Sequence, residues 1–104
     1  MEMRLKQRML VVVAYDISTL DKAGQKRLSK VAKICSRYGI RSQNSLFECY
    51  ISNVDFLSLK KELLEIYKES EDLITFYLVG NSYEGKVEKY GRLAVTSLGD
   101  SMFF

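Results

Sequence analysis

Histidine and proline are both absent from the 104 residues. Without histidine no Ser-His-Asp type of triad can be built, and with only two cysteines a zinc centre is excluded as well. Without proline nothing forces a break in a helix or a strand. Cys35 and Cys49 stand apart with no C-x-x-C spacing, so they read as reduced core thiols rather than a disulfide or a metal pair. No apolar run reaches the ~18 residues of a membrane helix. The basic start MEMRLKQRML has only a short apolar stretch and no small-residue cleavage site after it. A cytoplasmic protein without membrane contact is expected. Repeats and low-complexity tracts are also missing, and the lack of a glycine-rich phosphate cradle or a pocket signature argues against a small-ligand regulatory module.

What is present is a chain 47% hydrophobic and 28% charged, which suits one globular domain over 1–104 with a single core. The net charge of +3 hides an asymmetry. Residues 21–41 hold seven bases against one acid, whereas residues 55–72 hold six acids against three lysines. One element is basic and another acidic.

Met9 to Tyr15 predicts a strand that is apolar on both alternating sets, hence covered on both faces. Asp21 to Tyr38 predicts a helix, ended by Gly39 as a left-handed cap. Leu28, Val31, Ala32, Cys35 and Tyr38 form its apolar stripe, and Lys22, Lys26, Lys30, Lys33 and Arg37 fall in a narrow arc opposite. Arg27 lies on neither stripe, at the border of the apolar face, an awkward place for a cation without a partner. Residues 41–52 are extended, with a bend or tight hairpin near Ser42, Asn44 and Ser45. A second helix follows from about Val54 to Glu69, with Ser52 and Asp55 as its capping box. Leu73 to Val79 predicts another strand apolar on both faces. Weak strand signals at 86–90 and at the chain end predict an extra C-terminal strand.

The order β-α-β-β-α-β plus a tail predicts an α+β sandwich of the ferredoxin-like kind. Two helices cover one face of such a sheet, so a second copy of the chain is the expected cover for the other.

Asp16 then has two readings. A carboxylate just after a strand caps the following turn or helix. Alternatively, the end of a central strand is a rigid platform for a metal ligand. One carboxylate is a poor Mg²⁺ site, so the second would come from a symmetry mate. The basic arc is either a solvated face or, since no acids interleave within it, a surface for a polyanion. Arg41, Gln43, Ser45 and Phe47 alternate to one side of the YGIRSQNSLFECY stretch and point weakly to a site.

AYDIS at 14–18, KRL at 26–28, and Tyr38, Gly39, Arg41, Gln43, Ser45, Phe47 and Glu48 together resemble the CRISPR-associated protein two family. EDLITFYLVGN at 71–81 and KVEKYG at 86–91 are similar to its second half. The resemblance spans residues 9–91, with 1–8 as a basic N-terminal extension and 92–104 as a tail. It implies a ferredoxin-like homodimer whose sheets face each other across the two-fold axis. Asp16 and its mate would bridge Mg²⁺, or Mn²⁺ in its place. Tyr15, Asp16, Arg27, Arg41 and Phe47 carry over as site residues of a metal-dependent endonuclease acting on single-stranded RNA or duplex DNA. Lys22, Lys26, Lys30, Lys33 and Arg37 would hold nucleic acid, and the CRISPR integrase (CRISPR-associated protein one) would be the partner in spacer acquisition and antiviral defence. The alternatives are a non-catalytic nucleic-acid-binding scaffold or a related ribonuclease toxin.

Overall fold

A computed structural model of the chain describes residues 7–92. Its elements are β1 (Arg8–Asp16), α1 (Lys22–Ser36), β2 (Ile40–Gln43), β3 (Leu46–Ser52), α2 (Asn53–Ile66) and β4 (Leu73–Gly80). The four strands form one sheet in the order β2-β3-β1-β4, with every pairing antiparallel. This is the ferredoxin-like split β-α-β arrangement that the element order predicts.

Both helices start where the sequence offers a cap. The Asp21 carboxylate accepts from the Gly24 amide at 2.8 Å, and the Ser52 hydroxyl accepts from the Asp55 amide at 3.1 Å. Each thereby satisfies a donor that the first helical turn leaves unpaired. The helices lie on one face of the sheet. Val31 and Cys35 of α1 and Phe56, Leu59 and Leu63 of α2 pack on Val11, Val13 and Tyr15 of β1 and on Phe47, Cys49 and Ile51 of β3. Cys35 and Cys49 are free thiols in this core, each pushed up to about 12 chiefly by burial.

Gly39 is not a left-handed cap. Among the described residues the positive-φ ones are Gly80, Gly85 and Gly91, and α1 closes on Arg37 with right-handed geometry. Glycine is required at 39 for space: a Cβ there would meet the Glu48 carbonyl oxygen at 2.4 Å and Cys49 Sγ at 2.5 Å. Gly39→Ala is therefore expected to push β3 away and destabilise the fold by about 1–3 kcal/mol. The urea midpoint checks this, and an unshifted midpoint would show that β3 yields freely.

The second face is partly covered by the chain itself. Tyr83 packs edge-on against Tyr50, with ring centroids 5.5 Å apart. Lys89 Nζ reaches Glu48 Oε1 at 2.9 Å. Tyr50 and Glu48 pair with Leu10 and Val12, so residues 83–89 lie over the β3–β1 part of this face. Toward β4 no other described segment lies over the face, and Leu73 is 63% and Tyr77 55% exposed. Residues 86–90 form no strand. The strand expected at the chain end, with most of the N-terminal extension and of the tail, lies outside the described residues.

Candidate nucleic-acid and metal site

β1 determines where the site residues point, because successive side chains leave a strand on opposite faces. Tyr15 follows Val11 and Val13 into the helix-covered core, where it is 5% exposed. Asp16 follows Leu10, Val12 and Ala14 onto the other face and is exposed. There it lies opposite Leu73, at the end of the sheet that the 83–89 segment leaves uncovered. Its side chain enters no hydrogen bond or ion pair among the described residues. Nor does it cap α1, since Asp21 fills that role.

The remaining candidates fall into two other places. Tyr15, Arg41 and Phe47 form a cluster on the helix side of the sheet. The Tyr15 and Phe47 rings are 6.2 Å apart, and the Arg41 guanidinium sits 5.2 Å from the Phe47 centroid. Arg41 Nη2 donates to the Tyr15 hydroxyl at 3.5 Å, and that hydroxyl donates to the Asn44 carbonyl at 3.4 Å. Phe47 is only 2% exposed, while Arg41 is exposed. Arg41 and Phe47 belong to an open groove of about 570 Å³ between α1 and β2, lined also by Leu28 and Lys33. The structure therefore brings Tyr15, Arg41 and Phe47 together but puts Asp16 on the opposite sheet face.

Arg27 has the partner that its border position demands. Its Nε donates to Asp72 Oδ2 at 2.8 Å and its Nη2 to Asp72 Oδ1 at 3.2 Å, and Glu71 lies at 3.4 Å. The Asp72 side chain is fully buried and also accepts from the amides of Ser18 at 3.0 Å and Lys68 at 2.8 Å. The Arg27 hydrogen bond leads these interactions in holding the Asp72 carboxyl down to about 2, against the opposing effect of burial. Asp72 is absent from the sequence expectations. Its one signal in the sequence is an acid directly before an apolar strand, and the border cation that needs an anion is 45 positions away.

The basic arc is real but uneven. Lys22, Lys26, Lys30 and Lys33 are exposed along α1 and form no ion pair among the described residues. Arg37 is different, because it is paired with Glu62 of the acidic α2. Glu62 also accepts from the Tyr38 hydroxyl at 2.6 Å. The Arg37 hydrogen bond, followed by that of Tyr38, lowers the Glu62 carboxyl below its usual range. Four cations thus remain available to an anion, and the fifth links the two helices.

As a metal ligand, Asp16 offers one carboxylate, a hard oxygen ligand. Among the described residues no three carboxylate or thiol side chains converge on a point. On the same face Glu48 is tied to Lys89. A single copy thus supplies too few ligands for Mg²⁺. Asp16 fits the ion when a second copy adds its own carboxylate and phosphate oxygens or waters complete the shell.

A family model described as CRISPR associated protein Cas2 matches residues 9–87. The chain is 44% identical over 96 residues to the CRISPR-associated endonuclease Cas2 of Halalkalibacterium halodurans, across 92% of this chain and 100% of that protein. It is 41% identical over 83 residues to the CRISPR-associated endoribonuclease Cas2 of Nitratidesulfovibrio vulgaris, across 80% of this chain and 81% of that protein. The crystal structure of Streptococcus pyogenes Cas2 matches it with a TM-score of 0.71 at 46% identity, across 80% of this chain and 100% of that one.

Proposed function

The chain belongs to the CRISPR associated protein Cas2 family, and from that premise we propose that it is a metal-dependent endonuclease of CRISPR adaptation, working as a homodimer. The observation that carries this reading is the position of Asp16: a carboxylate unpaired among the described residues, at the end of a central strand, on a sheet face whose Leu73 and Tyr77 are exposed. A second copy over that face would bury the apolar side chains and bring two Asp16 carboxylates toward each other. The curated relatives named endonuclease and endoribonuclease support the reaction class, phosphodiester hydrolysis.

The two Asp16 carboxylates would hold Mg²⁺ or Mn²⁺. Such an ion, when bound, supplies Lewis-acid polarisation of a phosphoryl oxygen and lowers the pKa of its water. With no histidine in the chain, no imidazole base assists, and turnover is expected to be slow. Arg41 is exposed beside the groove that also includes Lys33, so it would contact a phosphate of a strand lying there and contribute to binding. Tyr15 and Phe47 are core residues and would act by supporting Arg41.

The lysine row supports a second role in the same protein. Lys22, Lys26, Lys30 and Lys33 would carry duplex DNA while the integrase is held as a partner. Converting the four to glutamine should lower the salt slope of duplex binding by about one for each lysine that contacts a phosphate. Arg37→Gln, which removes a cation already paired with Glu62, should change it less than any of the four. Fluorescence anisotropy across a salt series measures both, and an unchanged slope in the fourfold variant would sink the scaffold role. The nuclease role is tested by incubating the full chain with single-stranded RNA and with duplex DNA, with and without Mg²⁺ or Mn²⁺. Cutting that needs the metal is expected, and its absence from both substrates would remove the enzyme reading.

A further inference from the structure

We propose that Asp72 and Arg27 are positioning residues for Asp16, with Arg27 acting through Asp72 rather than on the nucleic acid; this rests on the nuclease reading above.

The three residues from Asp16 to Ser18 are fixed one after another. Asp16 pairs with Leu73 in the β1–β4 ladder. Ile17 is buried at 6% exposure. The Ser18 amide donates to Asp72 Oδ1 at 3.0 Å, and Asp72 is the residue directly before Leu73. The carbonyl side of Ser18 lies hard against α1: a Cβ on Gly24 would come within 1.9 Å of its oxygen. Asp16 is thus the exposed start of a segment whose next residue is buried and whose Ser18 is tied to Asp72 and packed against α1.

The clamp depends on a charge. The Asp72 side chain is fully buried and accepts four hydrogen bonds, from Ser18, Lys68 and twice from Arg27. A carboxylate buried without a counter-cation takes up a proton or moves toward water. Either change weakens its hold on the Ser18 amide. Arg27 supplies that counter-cation, with its Nε and Nη2 both turned onto Asp72. Its side chain is only 15% exposed. A guanidinium so engaged holds an anion of its own chain, not the phosphate of a substrate. The effect on chemistry is indirect: a loosened Ser18 widens the range of Asp16 orientations, and a ligand out of place by a fraction of an ångström holds a cation poorly.

The test is a set of full-chain variants assayed for RNA cleavage in Mn²⁺, at a temperature where circular dichroism shows each one folded. Arg27→Gln and Asp72→Asn are each expected to lower kcat about tenfold or more with little change in KM, as losses of a supporting partner do. Arg27→Lys should recover most of the loss, because an ammonium can still neutralise Asp72. The double variant Arg27→Gln with Asp72→Asn should be no worse than the poorer single one. Gly24→Ala leaves the ion pair in place but crowds the Ser18 carbonyl, and it should reproduce the fall in kcat. The proposal is overturned if Arg27→Lys is as impaired as Arg27→Gln with KM raised, or if the two single losses multiply. Wild-type turnover in Gly24→Ala also overturns it. A second readout stands apart from activity. The Ser18 amide should exchange slowly in the wild type and lose protection in Asp72→Asn and Arg27→Gln alike, and unchanged protection removes the clamp. If Asp16→Ala cuts as the wild type does, the nuclease reading is what fails, and the exchange result still decides whether the clamp exists.

Discussion

Asp16→Ala is expected to abolish metal-dependent cleavage while leaving the fold intact. The two halves of that result have separate grounds. The Asp16 side chain is exposed and bonds to nothing among the described residues, so its loss removes no internal side-chain contact. Surface changes of this kind shift stability by about 0.5 kcal/mol at most. The effect on rate is of a different order. If the two copies share one cation, the variant dimer loses both carboxylates at once, and a fall of about a hundredfold or more follows from removing a preorganised stabiliser of developing charge. Asp16→Asn is the sharper variant, because it keeps shape and removes charge. Mixing wild type with Asp16→Ala separates a shared site from two independent ones. Dimers carrying a single carboxylate would be inactive under sharing, so activity would fall faster than the wild-type fraction. Purified Asp16→Ala that cuts RNA at the wild-type rate, with its thermal transition unchanged, would end the metal-bridging idea.

The choice between cap and ligand at Asp16 could not be made from spacing, since each reading puts an acid just past a strand. The structure decides against the cap by giving that role to Asp21, five residues later and adjacent to the first turn of α1. Period-two alternation located Asp16 opposite Tyr15, yet the sequence resemblance groups the two as neighbours in one site. Motif adjacency along a strand says nothing about adjacency in space, and the two residues face opposite layers. The elements themselves were legible because their apolar periods are clean and their caps, Asp21 and Ser52, have distinctive chemistry. Gly39 was read for the wrong reason. A glycine after a helix usually signals left-handed backbone, whereas here β3 passes so close that a methyl group has no room. Arg27 shows the limit most plainly. Its place at the stripe border predicted a partner, but only the fold could name that partner as Asp72.

Asp72→Asn is expected to cost the fold about 3 kcal/mol near neutral pH, because it leaves Arg27 facing a neutral amide and removes two acceptor sites from a buried network. For a domain of this size the thermal transition should drop by roughly 10 °C or more. The pH dependence identifies the cause. The folded-state pKa of Asp72 lies below its ordinary value of 3.8, at about 2. A depressed carboxyl contributes stability that is fully present above the unfolded pKa and is lost as pH falls through the folded one. The window is therefore about pH 4 down to pH 2, and the ionised form is worth about 2 kcal/mol above it. The asparagine variant has no such carboxyl, so its stability should lack this part of the acid decline. Glu62, also held below its usual range, declines in both proteins and cancels in the comparison. The gap between wild type and Asp72→Asn should hence be wide and constant from pH 5 to 7, then narrow toward pH 2. Urea unfolding of both proteins across that range measures it. A gap that stays constant down to pH 2 would mean that shape and not charge holds the Arg27–Asp72 contact, and Arg27 would then need another reason to be where it is.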